Sequence, residues 1–134
     1  MLLIRHARAG ERAEWEGDDR LRPLDDRGWQ QAEKLVELLA EFPVERILSS
    51  PYDRCVQTVE PLARARGLAI ELREELGEEL QDGDGMKLVR SLLGDDVAAC
   101  CHGGLSDILA GERQKKGEVF VLGADAAVKT RLRP

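Results

Sequence analysis

Short apolar runs alternate along this chain with longer segments in which apolar residues recur at helical spacing. The apolar runs predict buried strands at residues 1–5, 46–49, 68–72 and 97–101. The helical spacing predicts helices over about 26–41, 51–66, 86–93 and 105–110. Because strands that alternate with helices form mainly parallel sheets covered on both faces, this pattern predicts a three-layer α/β/α sandwich.

Two further apolar runs, at residues 118–122 and 127–132, are separated by Gly123-Ala124-Asp125. Their spacing predicts a hairpin, which would make the mainly parallel sheet a mixed one. The length of 134 residues fits a single domain over residues 1–134. Hydrophobic residues make up 43% and charged residues 34% of the chain, which is typical of a globular protein.

Polar residues mark the starts of two predicted helices. Asp25 or Asp26 is suited to cap the helix at 26–41. Ser50-Pro51-Tyr52-Asp53 predicts the start of the next helix, with the serine as cap and the proline in the first helical position. The polar segment 7–24 predicts a long loop, which is either a solvated surface segment or a flap over a functional site.

The overall charge and the cysteines limit the classes of function. The net charge is −6, whereas a general nucleic-acid-binding surface would be basic, so we expect no nucleic acid as a partner. No apolar run has the length of a membrane span, and the first residues are charged too early for a signal peptide. Three cysteines, two of them adjacent, fit a reducing compartment better than a disulfide framework. We therefore expect a cytoplasmic protein.

The two histidines each directly follow a predicted strand. His6 follows the first apolar run and His102 follows Val97–Cys101. The carboxyl ends of parallel strands meet at one edge of a sheet, where open α/β folds bind their ligands. Arginines cluster around His6 and around Ser50, so the sequence predicts a basic pocket for a small anion on an otherwise acidic body.

Arg54 lies in the first turn of the helix predicted after Ser50, where the helix dipole disfavours a cation. Two interpretations follow. It is a surface residue paired with Asp53 or Glu60, or it holds an anion together with the helix end.

Three motifs occur in order along the chain: Arg5-His6-x-x-x-Gly10, Ser49-Ser50-Pro51-x-x-Arg54-x-x-Gln57-Thr58, and His102-Gly103-Gly104. Together they resemble the histidine phosphatase superfamily, which has the phosphoglycerate-mutase-like fold. The segment Gly17-Asp18-Asp19-Arg20-x-Arg22-Pro23-Leu24-Asp25-x-x-Gly28 is most similar to the small branch of that family. This branch includes the SixA-type phosphohistidine phosphatases and the similar domain fused to some Nudix hydrolases.

The resemblance implies a phosphatase that needs no metal or other cofactor. His6 would be the nucleophile that becomes phosphorylated, and Arg5, Arg54 and His102 would form the phosphate pocket. Two further phosphate-binding residues would be Arg22 and Gly103.

One departure from the family pattern is Ala7, where glycine is usual and where an extra methyl group could crowd the pocket. Another feature of the chain is the short connection between the third and fourth predicted strands, which leaves no room for an inserted cap domain.

The physical chemistry of phosphoryl transfer agrees with these roles. Charge on the equatorial oxygens must be neutralised, and several guanidinium groups can do this in place of Mg²⁺. A histidine attacks only in its neutral form, and nearby arginines lower its pKa. The proton donor of the family lies in a Leu-x-Glu motif after the third strand, which Leu76-Gly77-Glu78 matches. Glu78 is therefore the candidate general acid, with Glu74, Glu75 and Glu79 as rivals in the same turn.

Three other functions stay open on the sequence alone. A mutase would need a closed pocket with large inserted segments. A degenerate member of the family would bind a phosphorylated ligand without turnover. A metal site would use Cys100, His102 and His6, since residues 100 and 102 point the same way from a strand.

The expected partner is a small phosphorylated substrate or a protein that carries phosphohistidine, and both suit a capless site. Trp15 and Tyr52 are the only aromatic residues near the expected pocket that could stack on a nucleotide base. We expect a monomer or a weak dimer.

Overall fold

The computed structural model describes residues 1–134 as a six-stranded mixed sheet with helices on both faces. The strands are β1 (Leu2–Arg5), β2 (Arg46–Ser49), β3 (Ile70–Leu72), β4 (Val97–Cys101), β5 (Val119–Leu122) and β6 (Val128–Leu132). The helices are α1 (Asp26–Leu38), α2 (Asp53–Arg66), α3 (Met86–Leu92) and α4 (Gly103–Ala110). Strands β3, β2, β4 and β1 are parallel in that order, and β5 and β6 continue the sheet antiparallel. The predicted α/β sandwich, without a cap domain, is confirmed.

Alternate residues of the central strands pack on opposite faces of the sheet. Ile4 of β1 belongs to a core cluster with Leu35 of α1 and Val59 of α2. Its neighbour Leu3 packs in a second cluster with Val89 of α3. Because both faces are covered, these strands are apolar throughout rather than alternating, which is why they were recognisable in the sequence.

The centre of the sheet brings the two histidines together. β1 pairs in parallel with β4, with Arg5 opposite Cys101, and the backbone N–H of His6 donates to the Cys101 oxygen at 3.0 Å. Both strands therefore end at the same level, and the residues that follow them, His6 and His102, lie side by side at the carboxyl edge.

The predicted start of α2 is wrong by two residues. The helix begins at Asp53, and Ser50 does not cap it. The Ser50 N–H donates to the Cys100 oxygen at 2.9 Å, which prolongs the strand, and its hydroxyl lies 3.0 Å from His102 Nε2. Ser50 therefore hydrogen-bonds to the neighbouring strand and to His102, and it does not cap α2.

The other boundaries differ from prediction by small amounts. Asp25 caps α1, accepting from the Gly28 N–H at 2.8 Å, and this helix ends at Leu38 rather than at residue 41. The segment 7–24 contains only two short 3₁₀ turns. A π-helical turn at Gln81–Gly85 leads directly into α3. None of the helices is both long and apolar enough to cross a membrane.

Candidate active site

His6 lies at the carboxyl end of β1 and is 6% exposed. Its Nδ1 is 2.8 Å from the Ala7 carbonyl oxygen. Since a carbonyl oxygen can only accept, Nδ1 carries the proton and Nε2 carries the free lone pair. Burial lowers the pKa of His6 well below its ordinary value of 6.5, although the Ala7 hydrogen bond opposes this, and the nearby His102, Arg54 and Arg5 lower it further. The imidazole is therefore held neutral, with one nitrogen available to attack.

Ala7 is wholly buried in a small core cluster with Ala9, Leu24 and Ala32. Its methyl group is thus part of the packing that supports the segment after β1. The Ala7 N–H donates to Thr58 Oγ1 at 2.9 Å, and that hydroxyl donates to the Arg54 carbonyl oxygen at 2.6 Å. This pair of hydrogen bonds ties the backbone next to His6 to the first turns of α2.

His102 is 2% exposed, and its ring centroid lies 5.4 Å from that of His6. Ser50 Oγ is 3.0 Å from its Nε2, and Tyr52 packs against its ring edge-to-face at 4.7 Å between centroids. Its Nδ1 is buried with no hydrogen-bond partner and faces Glu78 Oε1 at 3.6 Å. Ser50 and Tyr52 therefore fix the orientation of the His102 ring, and its Nδ1 points toward the Glu78 carboxylate.

Arg54 is completely buried, so the interpretation as a surface arginine paired with Asp53 or Glu60 is wrong. Its Nη1 donates to the Asp19 carbonyl oxygen at 2.8 Å and its Nη2 to Asp19 Oδ2 at 3.1 Å. The same Nη2 lies 3.3 Å from Glu78 Oε1. The guanidinium is thus held between Asp19 and Glu78, two acceptors from different loops.

Three buried side-chain nitrogens in this region make no hydrogen bond: Nε of Arg5, Nε of Arg54 and Nδ1 of His102. An unpaired buried donor costs free energy, and such groups in native proteins usually have a functional explanation. All three are nitrogens of the kind that an oxyanion accepts from.

Glu78 is the one member of the acidic turn that reaches this cluster. Its carboxylate accepts from Arg12 Nη2 at 2.8 and 3.1 Å, in addition to its contacts with Arg54 and His102. By contrast, Glu74 pairs with Arg20, Glu75 pairs with Arg73, and Glu79 is exposed.

Asp19 is a central residue of the site that the sequence reasoning missed. Its carboxylate accepts from Arg22 Nε at 2.9 Å and also contacts Arg54 and Arg12. Burial raises the pKa of Asp19, but the Arg22 hydrogen bond and the Arg54 charge outweigh it, so that the pKa is lowered overall. Its place between Gly17 and Arg22 in the family-like segment was the available signal.

Arg22 itself donates to Asp19 and to the Ala9 carbonyl oxygen at 2.8 Å. Its only connection to Arg54 and Arg12 is through the Asp19 carboxylate. Its predicted contact with phosphate stays a prediction.

An open pocket of about 470 Å³ lies beside His102 and is lined entirely by polar residues and glycines: Arg5, Arg12, Glu78, Gln81, His102, Gly103, Gly104, Asp107 and Arg113. A Cβ atom on Gly103 would lie 3.0 Å from the Arg5 guanidinium carbon, and one on Gly104 would lie 2.8 Å from the Gln81 amide nitrogen. The two glycines therefore let these polar side chains approach the start of α4.

Cys100, His102 and His6 do not form a metal site. No group of three His, Cys, Asp or Glu side chains is arranged to hold a metal ion, and Cys100 is buried in the core.

The two aromatic candidates, Trp15 and Tyr52, are not arranged for base stacking over the pocket. Tyr52 is buried behind His102, and the Trp15 indole donates to the Asp18 carbonyl oxygen in the loop.

Comparison with known proteins adds independent evidence. An 8-oxo-(d)GTP phosphatase of Mycolicibacterium smegmatis is 43% identical over 84 residues, which is 63% of this chain and 26% of that protein. The tungstate complex of the protein histidine phosphatase SixA has a TM-score of 0.78 at 22% identity and is covered over 96% of its length by 99% of this chain. A structure from Agrobacterium tumefaciens described as a SixA-type phosphohistidine phosphatase has a TM-score of 0.79 at 25% identity, with 99% and 96% of the two chains covered.

The structural likenesses establish the shared fold. The sequence profile described as histidine phosphatase superfamily (branch 1) matches residues 1–91. This match covers more than half of the chain and includes β1, α1, β2, α2 and β3. The chain therefore belongs to the histidine phosphatase superfamily.

Proposed function

We propose that this chain is a phosphatase that hydrolyses a phosphomonoester or a protein phosphohistidine through a phosphohistidine formed at His6. The observation that carries this proposal is the neutral, buried His6 with a free Nε2, surrounded by Arg5, Arg54 and His102. Membership in the histidine phosphatase superfamily supports it.

In the first step, Nε2 of His6 attacks phosphorus. The Nε2–P bond forms and the bond from phosphorus to the leaving group breaks, with the leaving group keeping the electron pair. Arg5 and Arg54 neutralise charge on the equatorial oxygens, and His102 donates to one of them through Nδ1. Glu78 protonates an alkoxide leaving group.

In the second step, water attacks phosphorus and gives a proton to Glu78. The Nε2–P bond breaks, inorganic phosphate departs and neutral His6 is restored. The position of Glu78 against His102 and Arg54 supports this double role, because a carboxylate beside the phosphate-binding residues can protonate the leaving group and later accept the proton of water.

The remaining question is which phosphorylated compound is the substrate. The chain spans only 26% of the length of the 8-oxo-(d)GTP phosphatase that it resembles, while its structural relatives include SixA-type enzymes. These names favour a nucleotide and a phosphohistidine protein as the two candidate substrates. The open pocket and the absence of a cap over it favour hydrolysis over a mutase reaction.

The test is rapid-quench labelling with ³²P-labelled p-nitrophenyl phosphate. We expect an acid-labile, base-stable phosphoenzyme and a burst of p-nitrophenol, both absent in His6→Ala. Arg64→Ala, which changes an exposed arginine at the far end of α2, is the matched control and should behave as wild type. Wild-type turnover by His6→Ala would overturn the proposal, and anion binding without any burst would show a binding module instead.

A cytoplasmic location and a monomeric or weakly dimeric state stay part of the proposal.

A further inference from the structure

The segment between α4 and β5 is fixed tightly to the end of β1. Gln114 is wholly buried, and its Nε2 donates to the carbonyl oxygens of Leu3 and Glu118, each at 2.7 Å. In return, Arg5 Nη1 donates to the Gln114 carbonyl oxygen at 2.6 Å. The Gly117 N–H donates to the His6 carbonyl oxygen at 3.0 Å. This segment is therefore held in place beside the nucleophile.

Three cations flank the buried glutamine: Arg113, Lys115 and Lys116 are exposed, and none of them makes an ion pair. The nearest acidic residues along the chain are already engaged elsewhere. Glu112 pairs with Arg131, and Glu118 pairs with Arg133 at 2.6 Å while accepting from the Lys115 backbone N–H at 2.8 Å. The three side chains are thus left without a carboxylate partner in a protein whose net charge is −6.

These cations continue the active-site pocket. Arg5 and Arg113 line the pocket beside His102, and they also line an adjoining cavity of about 470 Å³ whose other walls are Gln114, Lys115 and Lys116. The two cavities therefore form one groove that runs from His102 past Arg5 and Arg113 to Lys116. The groove contains two carboxylates, Glu78 and Asp107, both at the end near His102.

Like charges crowd along this groove. Burial lowers the pKa of Arg5 and the charge of Arg113 lowers it further, although Asp107, Cys101 and Glu78 act in the opposite direction. The pKa of the exposed Lys116 is also lowered, first by partial desolvation and then by the charge of Arg5, while Glu11 acts in the opposite direction. Unpaired cations that repel one another are stabilised when an anion lies between them.

We propose that this groove binds a second phosphate of the substrate, adjacent to the phosphoryl group that is transferred to His6. The inference deepens the proposed function and rests on it. It names the preferred substrate class as small compounds with a terminal di- or triphosphate, such as nucleoside diphosphates, since Arg5, a proposed ligand of the transferred group, lines both cavities together with Arg113.

For such a substrate, the Nε2–P bond forms to the terminal phosphorus and the bond from that phosphorus to the bridging oxygen breaks. The departing phosphate keeps the electron pair as a stable anion, and Arg113 neutralises its charge. Protonation by Glu78 then contributes less than it does for an alkoxide. Water completes the hydrolysis as described above.

The test compares kcat/KM for ADP and AMP, two compounds that differ by the second phosphate. We expect the kcat/KM of wild type to be about tenfold or more higher for ADP than for AMP, because one charge-assisted contact usually contributes a factor of this size. Arg113→Ala and Lys115→Ala/Lys116→Ala should each reduce that preference severalfold, whereas the matched control Arg64→Ala should keep it. These exposed positions can be checked for folding by circular dichroism.

A binding measurement separates this inference from the proposed function. Pyrophosphate and inorganic phosphate are titrated into His6→Ala with and without Arg113→Ala. Pyrophosphate should bind more tightly than phosphate, and Arg113→Ala should remove that difference. If Arg113→Ala weakens pyrophosphate but wild type hydrolyses no phosphate compound, the groove stands and the proposed function falls. If wild type hydrolyses AMP and ADP equally and Arg113→Ala changes neither the ratio nor the pyrophosphate affinity, the groove proposal is overturned and hydrolysis stands.

Discussion

Asp19 holds the buried guanidinium of Arg54 with two acceptors, its carbonyl oxygen 2.8 Å from Nη1 and its Oδ2 3.1 Å from Nη2. The other carboxylate oxygen accepts from Arg22 at 2.9 Å. A residue of the loop at 7–24 therefore fixes the orientation of an arginine on α2. Asp19 and Arg22 are therefore part of the site's framework, although residues 11–18 of the same loop are exposed.

Asp19→Ala is expected to lower the free energy of unfolding by about 1–2 kcal/mol, because it removes a partner of a fully buried cation while Asp19 itself is partly exposed. Urea denaturation near pH 7 measures this effect. Asp95→Ala, at an exposed and unpaired aspartate between α3 and β4, is the control and should change stability little. Equal stability of the two variants would show that the contact with Asp19 does not stabilise Arg54.

The stabilisation by Asp19 should decrease at low pH. The pKa of Asp19 is lowered from its ordinary value of 3.8, so the folded state favours the ionised carboxylate. Its contribution is present above about pH 4 and is lost as the pH falls through the lowered value. The stability difference between wild type and Asp19→Asn should therefore shrink below pH 4. A difference that stays constant down to pH 2 would contradict this.

His6 adds a second pH-dependent contribution to stability, at higher pH than that of Asp19. Its pKa is lowered well below 6.5 by burial and by the neighbouring cations, so the unfolded chain binds a proton in a range where the folded chain does not. The unfolding free energy should consequently fall as the pH drops below 6.5, and His6→Asn should show less of this fall. The two proteins should have parallel profiles above about pH 7.5. NMR titration of the His6 ring, which should stay neutral at pH 6, provides a direct check.

Glu78→Gln distinguishes the classes of substrate. For an alkyl phosphate, loss of the proton donor should lower turnover by about a hundredfold or more. For phosphohistidine or a nucleoside diphosphate the loss should be much smaller, because these leaving groups depart more readily. Glu75→Gln, in the same turn but paired with Arg73, is the matched control. A large loss with Glu75→Gln, or equal and negligible losses on every substrate, would remove Glu78 from the mechanism.

Thr58→Val tests the connection between the His6 segment and α2. Valine keeps the shape but leaves the buried Ala7 N–H without its acceptor, so stability should fall by about 1–3 kcal/mol. Turnover should fall as well, since the segment that positions His6 is loosened. Thr58→Ser retains the hydroxyl and should have the stability and the turnover of wild type.

Catalysis by arginines and histidines is expected to continue in EDTA. The assay is turnover of p-nitrophenyl phosphate before and after prolonged dialysis against chelator. Loss of activity that Zn²⁺ or Mg²⁺ restores would replace the arginine mechanism by a metal-dependent one.

The fold was predictable because its central strands are buried on both faces and read as continuous apolar runs. The positions of His6 and His102 were predictable for the same reason, since each directly follows such a run. The start of α2 was not, because the hydroxyl of Ser50 is used by His102, a residue distant in sequence. Asp19 and Gln114 were missed because their partners lie on other elements, and an aspartate or a glutamine in a polar segment has no periodic pattern to reveal it.

The position of β1 has a consequence for how the protein folds. This strand carries His6, yet both strands that flank it in the sheet, β4 and β5, come from the last third of the chain. A nascent chain that has reached only residue 91 holds the whole segment matching the family profile but offers β1 no partner on either edge. Contacts of such long sequence separation form late, because the entropy of loop closure must be overcome first. His6, the proposed nucleophile, is thus synthesised before the two strands that flank β1, and its surroundings are complete only when β4 and β5 are in place.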